Sequence, residues 1–137
     1  MKISEFFKNF SLHDSGIDRI VYFSDEKRMV VHLELCNYMQ AGYQEGEPEL
    51  VPGHLEFLDV SGLDVDPPLS TIDWEIMSGE ISSGGHVAER DRDDYQAAEF
   101  LIHVTNFRTH ENTLYTIRFL CRDVVWTATI THMSEGQ

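Results

Sequence analysis

The chain has 137 residues and carries 24 acidic against 10 basic side chains, which gives a formal net charge of −14 at neutral pH with histidine uncharged. Its length suits a single domain spanning residues 1–137, and a content of 42% hydrophobic and 11% aromatic residues argues against a disordered acidic tail. The negative field repels phosphate backbones and anionic lipid, so we expect neither a nucleic-acid nor a membrane partner, and it attracts basic proteins or cations.

A short helix is predicted at the start of the chain. Apolar side chains recur there at helical spacing, and Ser4 stands where a residue that caps the helix N-terminus is expected. The apolar stripe consists of Ile3, Phe6, Phe7 and Phe10. We therefore predict a helix of about two turns that lays its aromatic rings on the core.

The cellular compartment is inferred from signals that the sequence lacks. The first ten residues contain no uninterrupted apolar segment of the secretory type, and no later run approaches the roughly 20 apolar residues of a membrane span. We therefore expect a cytoplasmic location. Cys36 and Cys121 each end a predicted strand, and two cysteines so far apart form neither a disulfide framework nor a zinc ligand set. We interpret them as reduced structural thiols.

A β-hairpin is predicted after the helix. Apolar residues alternate over 20–23 and 29–35, and the polar segment 24–27 between them forms the turn. In the second strand the odd-numbered residues are all apolar, whereas the even-numbered positions include His32 and Glu34. The odd-numbered side chains should therefore face the core, and the even-numbered ones should face outward.

Two later segments are predicted to be long polar connections. Residues 37–53 are rich in glycine, proline and glutamate, and residues 79–96 contain glycines followed by a run of mixed charge. These compositions are typical of loops rather than paired strands. We expect the second connection to contain a short strand near His86 at most.

Between these connections the sequence predicts two strands separated by a turn. Residues 54–60 form the first strand, and residues 61–68 form a turn that ends at a Pro-Pro pair. In the second strand, residues 72–76, three apolar side chains alternate with Asp73 and Glu75. This strand should have one dry face and one strongly acidic face.

Three closing strands complete the predicted fold. They span residues 100–105, 115–121 and 124–131, with a tight hairpin turn at 122–123 between the last two. No helix separates successive strands, and parallel pairing would require longer crossovers. The sequence therefore predicts an all-β (or β-rich α+β) fold, an antiparallel sandwich or partly open barrel of about seven strands with one short N-terminal helix. The last strand is a candidate exposed edge through which a homodimer would form.

His13 and Asp14 are the most suggestive pair for catalysis. Metal-dependent phosphohydrolases use an adjacent His-Asp pair, but they complete the metal shell with a further His and Asp from separate helices, which this sequence does not predict. A structural role is simpler, because Asp14 or Ser15 can bond a backbone N–H at the entry to the first strand. We therefore predict no catalytic residue, metal ligand set or cofactor. A small metal-dependent hydrolase that uses His13 and Asp14 remains the alternative function.

The same segment carries a family resemblance. The stretch SLHDSGIDRIVYF, followed by MVVHLEL, resembles the opening of small bacterial proteins that begin with a Leu-His-Asp-Ser-x-Ile element and a hairpin. Some relatives in that group are similar to immunity proteins of toxin systems. The resemblance covers about the first 35 residues and brings no catalytic residues with it. It implies that the His-Asp-Ser element marks the fold, and it favours an inhibitor role.

The acidic side chains are the candidate binding residues. We expect an acidic face that docks on a basic protein, such as the active site of a nuclease toxin, because opposite charge accelerates association. Simple solubility is one alternative for the acidic side chains. A calcium site is another, although the spacing does not fit the EF-hand pattern, and its candidate ligands are Asp59, Asp64, Asp66, Asp73, Asp91, Asp93 and Asp94. The predicted contact residues are Glu45, Glu47, Glu49, Asp73, Glu75, Asp91, Asp93 and Asp94.

Overall fold

The computed structural model describes residues 1–92 and 95–129, except for the side chains of residue 38 and residues 86–92. Within these residues the regular structure consists of one α-helix, eight strands and two short 3-10 turns, at Asn37–Met39 and Leu69–Thr71. The helix and strands are α1 (Ile3–Asn9), β1 (Gly16–Phe23), β2 (Arg28–Cys36), β3 (Leu50–Leu58), β4 (Ser61–Asp66), β5 (Met77–Arg92), β6 (Tyr95–Asn106), β7 (Asn112–Cys121) and β8 (Asp123–Ala128).

The eight strands form one antiparallel sheet that is not closed, in the order β4-β7-β6-β5-β1-β2-β3-β8. The sheet folds over so that its two halves face each other. Phe57 of β3 lies with its ring centroid 5.0 Å from that of Phe119 in β7 and 5.9 Å from that of Phe100 in β6. This arrangement confirms the predicted all-β fold with a short N-terminal helix.

The β1–β2 hairpin is confirmed, with strands joined across residues 24–27. Burial follows the predicted alternation in part, since Met29 and Leu33 are each 1% exposed and Glu34 is exposed, but Val30 and Cys36 are buried as well. Phe57 of the neighbouring strand β3 is fully buried. The core therefore lies between the two halves of the sheet, and the even-numbered residues of β2 lie on the outer face.

Helix α1 lays an aromatic stripe on the core, as predicted. Ile3 and Phe6 are 1% exposed, and the Phe6 ring contacts the rings of Phe7 and Phe10. The prediction that Ser4 caps the helix is wrong, because Lys2 holds the N-cap position. The Ser4 N–H instead donates to Oε1 of the buried Gln96 at 2.8 Å, which ties the helix to β6.

The glycine-rich segment 79–96 is not a loop, which corrects the second predicted connection. Most of it belongs to β5, a strand of 16 residues that pairs with β6. Gly84 stands opposite Phe100, and a Cβ at that glycine would lie 2.3 Å from the aromatic ring. The Phe100 ring therefore covers the backbone of the glycine, and this contact gives a glycine-containing strand the packing that its own side chain lacks.

The predicted turn at 61–68 is mostly strand β4. Leu63 and Val65 are half-buried against the core, while Asp64 and Asp66 are exposed, which is the alternation of a strand with one wet face. β4 lies at an end of the sheet and pairs with β7. Its acidic outer face suits a sheet edge, because charge there opposes pairing with another chain.

The predicted hairpin turn at 122–123 is also wrong. β8 pairs with β3, whereas β7 pairs with β4 and β6, so the two closing strands are not partners. The Arg122 N–H donates to the Leu58 carbonyl at 3.1 Å, and the chain crosses there from one half of the sheet to the other. Local spacing suggested a hairpin, but the folding over of the sheet brings β3 closer to β8.

Candidate functional site

One row of residues crosses the outer face of the sheet where β1 meets β5. Glu34 of β2 and Glu80 of β5 both stand directly opposite Gly16 of β1, and His103 of β6 is the next residue in the row. Since neighbouring strands lie about 4.8 Å apart, the backbones that carry the two glutamates are about 10 Å apart. The space where a Gly16 side chain would stand is open. The glycine therefore leaves a gap between two carboxylates.

This gap is the centre of a groove of about 410 Å³, which we call the acidic groove. Its carboxylates belong to Asp18, Glu34 and Glu80, and all three side chains are exposed. Among residues 1–92 and 95–129, none of the three forms an ion pair or a side-chain hydrogen bond. The other lining residues are Gly16, Ile17, Ser78, Gly79, His103, Thr105 and Asn112.

A β-bulge sets the boundary of the acidic groove. Ile17 pairs with Leu33 and Arg19 pairs with His32, so Asp18 is an extra residue on β1. Asp18 and Arg19 are consequently both exposed on the outer face, although they are adjacent in sequence. Asp18 lines the acidic groove, whereas Arg19 lines a separate groove on the other side of the bulge.

The predicted contact residues Glu45, Glu47 and Glu49 lie in the connection between β2 and β3, and all are exposed. The connection is folded on itself, since the Gln44 N–H donates to Glu47 Oε1 at 2.6 Å and the Asn37 N–H donates to the Glu49 carbonyl at 2.8 Å. It begins directly after β2, three residues beyond Glu34. These glutamates are therefore further exposed acids in the segment that follows β2.

Asp73 and Glu75 are exposed, but the predicted strand at 72–76 is wrong. The Ile76 N–H donates to the Asp73 carbonyl at 3.1 Å, and the Glu75 N–H donates to Asp73 Oδ1 at 3.1 Å, so the segment is a turn. Its apolar residues Ile72 and Trp74 pack on the core without strand pairing. The turn leads into β5, whose residue Ser78 lines the acidic groove.

Of the remaining predicted contacts, the structure describes the backbone of Asp91 alone. The backbone of Asp91 lies in β5, eleven residues beyond Glu80, which corresponds to roughly 35 Å along an extended strand. Asp93 and Asp94 lie outside the described residues, as does the side chain of Asp91.

Sequence analysis missed all three carboxylates that line the acidic groove. The outward orientation of Glu34 was visible in the alternation of β2, but its neighbours in space come from β1 and β5. The pairing of β1 with β5 joins residues about 60 positions apart, and no local pattern encodes it.

His13 and Asp14 lie in the turn before β1, with Nδ1 of the histidine 3.1 Å from Oδ1 of the aspartate. Both side chains are about half exposed. Within the part of the chain that the structure describes, no three His, Cys, Asp or Glu side chains are grouped to hold a metal ion. Ser15 is fully buried, and its Oγ accepts the Cys36 N–H at 3.0 Å, which confirms the predicted structural role at the entry to the first strand.

Both cysteines are buried free thiols at the ends of β2 and β7. Burial raises the pKa of the Cys121 thiol to about 12. The protonated thiol is a weak nucleophile at neutral pH, so Cys121 contributes packing rather than chemistry.

The predicted edge strand β8 does lie at an end of the sheet. Met1 covers its first residues, because the Val124 N–H donates to the Met1 carbonyl at 2.7 Å and the Met1 amino group donates to the Val124 carbonyl at 3.1 Å. The terminal amino group also forms an ion pair with Asp123. Dimerisation through this edge stays a prediction. Within the described part of β8, Trp126 to Ala128 lie beyond the contacts with Met1.

Comparisons with known proteins give no family. Neither a scan of family models nor searches of curated proteins and of solved structures returned a match. None of the helical segments in residues 1–92 and 95–129 has the length and apolar character needed to cross a membrane.

Proposed function

We propose that the protein is a cytoplasmic binding protein whose acidic groove docks on the basic surface of a partner protein. The observation that carries the proposal is the gap above Gly16, flanked by the exposed and unpaired carboxylates of Asp18, Glu34 and Glu80. A partner of this kind is the phosphate-binding surface of a nuclease toxin, against which the protein would act as an immunity-type inhibitor.

The geometry suits a lysine or arginine side chain from the partner. A cationic side chain that enters above Gly16 lies between two carboxylates whose backbones are about 10 Å apart, so it can bond to both. Because the three carboxylates have no partner within the described residues, docking breaks no internal ion pair. Charge-assisted hydrogen bonds of this kind are roughly twice as strong as neutral ones.

The surroundings of the groove favour the same type of partner. Glu45, Glu47 and Glu49 follow β2 in the chain, Asp73 and Glu75 precede β5, and all five side chains are exposed. A net charge of −14 steers a basic protein toward this surface and raises the association rate at low salt. The resemblance of residues 11–35 to immunity-like proteins supports an inhibitor within the broader class of binding proteins.

The experiment is affinity capture from the native host with two baits of equal charge. The groove bait carries Asp18→Asn, Glu34→Gln and Glu80→Gln, and the control bait carries neutral substitutions of three exposed carboxylates elsewhere on the surface. The control substitutions are Asp25→Asn, Asp59→Asn and Asp64→Asn. We expect the wild-type and control baits to retain a basic protein that elutes as ionic strength rises, and the groove bait to lose it.

Equal retention by the groove and control baits would contradict the proposal, because it would assign the interaction to overall charge. The inhibitor class is tested separately on the captured protein. A nuclease that loses activity when the wild-type protein is added, and keeps it when the groove variant is added, would support an immunity role. If the activity of the captured partner does not change, the protein binds this partner without inhibiting it.

A further inference from the structure

A second row of residues crosses the same outer face beyond the bulge. Arg19 of β1 stands opposite His32 of β2, which stands opposite His54 of β3. The two imidazole rings lie 5.8 Å apart between centroids. One arginine and two histidines therefore stand in line across three adjacent strands of a strongly acidic protein.

This row lines a groove of about 410 Å³, which we call the cationic groove. Val21 and Val30 form its apolar floor, and Phe23, which is 37% exposed, stands at one end. The Arg28 guanidinium lies 4.4 Å from the centroid of the Phe23 ring. The groove thus combines positive charge with an apolar and aromatic surface.

The two arginines of the groove differ in their partners. Arg28 pairs with Glu56 through Nη1 and Oε2 at 2.6 Å and with Glu26 at 3.2 Å, so its charge is largely neutralised. Arg19, His32 and His54 form no ion pair or side-chain hydrogen bond with any residue of the described ranges. Their nitrogen atoms are available to an incoming group.

The surroundings of His32 favour its neutral form. The pKa of His32 is lowered, first by burial and then by the charges of Arg19 and His54, while Asp18 acts in the opposite direction. Like charges directly opposite each other on neighbouring strands are unfavourable. An anion above the row would offset this repulsion and favour protonation of His32.

We propose that the cationic groove binds a small organic anion, with its charged group on Arg19, His32 and His54 and an aromatic or aliphatic body over the valine floor. Charge complementarity selects an anion, and the apolar floor with Phe23 selects an organic one. A second copy of this chain is disfavoured as the occupant, because each copy carries a net charge of −14.

Binding should depend on pH through His32. The charged groups that face His32 are Asp18 and Arg19 on β1 and His54 on β3, and Arg28 with Glu56 closes the neighbouring row. Because a bound anion stabilises the protonated form of His32, binding is coupled to proton uptake. An anion of constant charge should therefore bind more tightly as the pH falls below the usual histidine range.

The test is a titration of the full-length ¹⁵N-labelled protein followed by amide chemical shifts. The probe is benzenesulfonate, which stays ionised across the pH range, with neutral benzenesulfonamide and inorganic sulfate as matched controls. We expect saturable shifts centred on Arg19, Val30, His32 and His54, with a Kd on the order of 1 mM at pH 5.5 that rises about threefold to tenfold at pH 7.5. Both controls should bind at least about tenfold more weakly.

Two variants locate the site. Arg19→Gln and His54→Gln should each weaken benzenesulfonate binding by roughly threefold to tenfold, whereas Arg108→Gln, which removes an exposed arginine from the β6–β7 turn, should not. All three positions are on the surface, and the spectrum of each variant shows whether it is folded.

Several outcomes would overturn the proposal. They are equal binding of the sulfonamide or of sulfate, no saturable shift with the sulfonate at pH 5.5, and equal affinity of the Arg19 and Arg108 variants. Groove shifts that depend on protein concentration without any probe would assign the surface to a second copy and would equally overturn it.

Discussion

The acidic groove and the cationic groove lie side by side on one sheet face and have opposite charge. Glu34 and His32 are separated by one residue on β2, and Asp18 and Arg19 are adjacent on β1, yet each member of a pair lines a different groove. The difference arises because a groove is lined by a row of residues across strands rather than by a run along the chain.

The bulge at Asp18 is what makes the change of charge abrupt. In a regular strand, adjacent residues point to opposite faces, so either Asp18 or Arg19 would point toward the core. The extra residue places both on the outer face and allows each to join its own row. The comparison teaches that a protein with a net charge of −14 can still present a local surface of the opposite charge.

The largest effect should come from a core residue that joins the two halves of the sheet. Phe57 is fully buried beneath the outer face and packs on two rings from the opposite half of the sheet. Phe57→Ala should lower the free energy of unfolding by about 3–5 kcal/mol through lost burial and an unfilled cavity. Urea unfolding measures this change in the free energy of unfolding. A decrease below about 1 kcal/mol would show that the two halves of the sheet are not packed as described.

The next largest effect is a loss of partner capture, and it should be confined to the acidic groove. Gly16→Trp places a ring in the open space between Glu34 and Glu80, so capture of a basic partner should fall by more than about tenfold. The free energy of unfolding should change by no more than about 0.5 kcal/mol, because the position is open. Benzenesulfonate binding should be unchanged.

The matched control is Val125→Trp, which introduces the same side chain at an exposed position of the edge strand β8. It should leave partner capture unchanged. If the Gly16 variant unfolds or still captures the partner, Gly16 does not mark the docking position.

A smaller effect should follow from exchanging the charges at the bulge. The double variant Asp18→Arg, Arg19→Asp keeps the net charge but reverses its sign at the boundary between the grooves. Both partner capture and benzenesulfonate affinity should fall by roughly threefold to tenfold, since each groove gains a repulsive group. Unchanged values for both ligands would show that net charge, rather than local charge, governs binding.

The smallest expected effect is the pH dependence of stability that comes from His32. Its pKa is lowered in the folded protein, so the unfolded chain takes up a proton first as the pH falls through about 6.5. The free energy of unfolding should therefore fall with decreasing pH in this range, and the loss is complete below the folded pKa. His32→Gln should make this slope shallower in urea unfolding at a series of pH values.

The exposed His103, which lies in the acidic groove, supplies the control through His103→Gln. If the pH dependence of the free energy of unfolding changes as much in this variant as in His32→Gln, it does not arise from the cationic row.

Sequence patterns predicted the elements whose stability is local. The helix and the β1–β2 hairpin follow from apolar spacing over a few residues, and both were confirmed together with the all-β fold. β5 was missed because its glycines are typical of loops, and the ring that covers Gly84 comes from Phe100 on another strand. A strand that depends on side chains of a neighbouring strand for its packing cannot be recognised from its own residues.

The candidate site was predictable only in part. Negative charge and the outward position of Glu34 and His32 could be derived from composition and alternation. The grooves themselves depend on the bulge at Asp18 and on the pairing of β1 with β5, which are set by tertiary structure. Sequence analysis therefore selected acids that cluster along the chain, whereas the acidic groove collects its acids from three strands.

Chemical-shift mapping of one labelled sample with two ligands of opposite charge tests the account most directly. A tetralysine peptide should shift the amides around Gly16, Asp18, Glu34 and Glu80, and benzenesulfonate should shift those around Arg19, Val30, His32 and His54. Two separate sets of shifts that meet at the bulge are the predicted result. A single common set, or shifts spread evenly over the surface for either ligand, would contradict the division of this face into two sites.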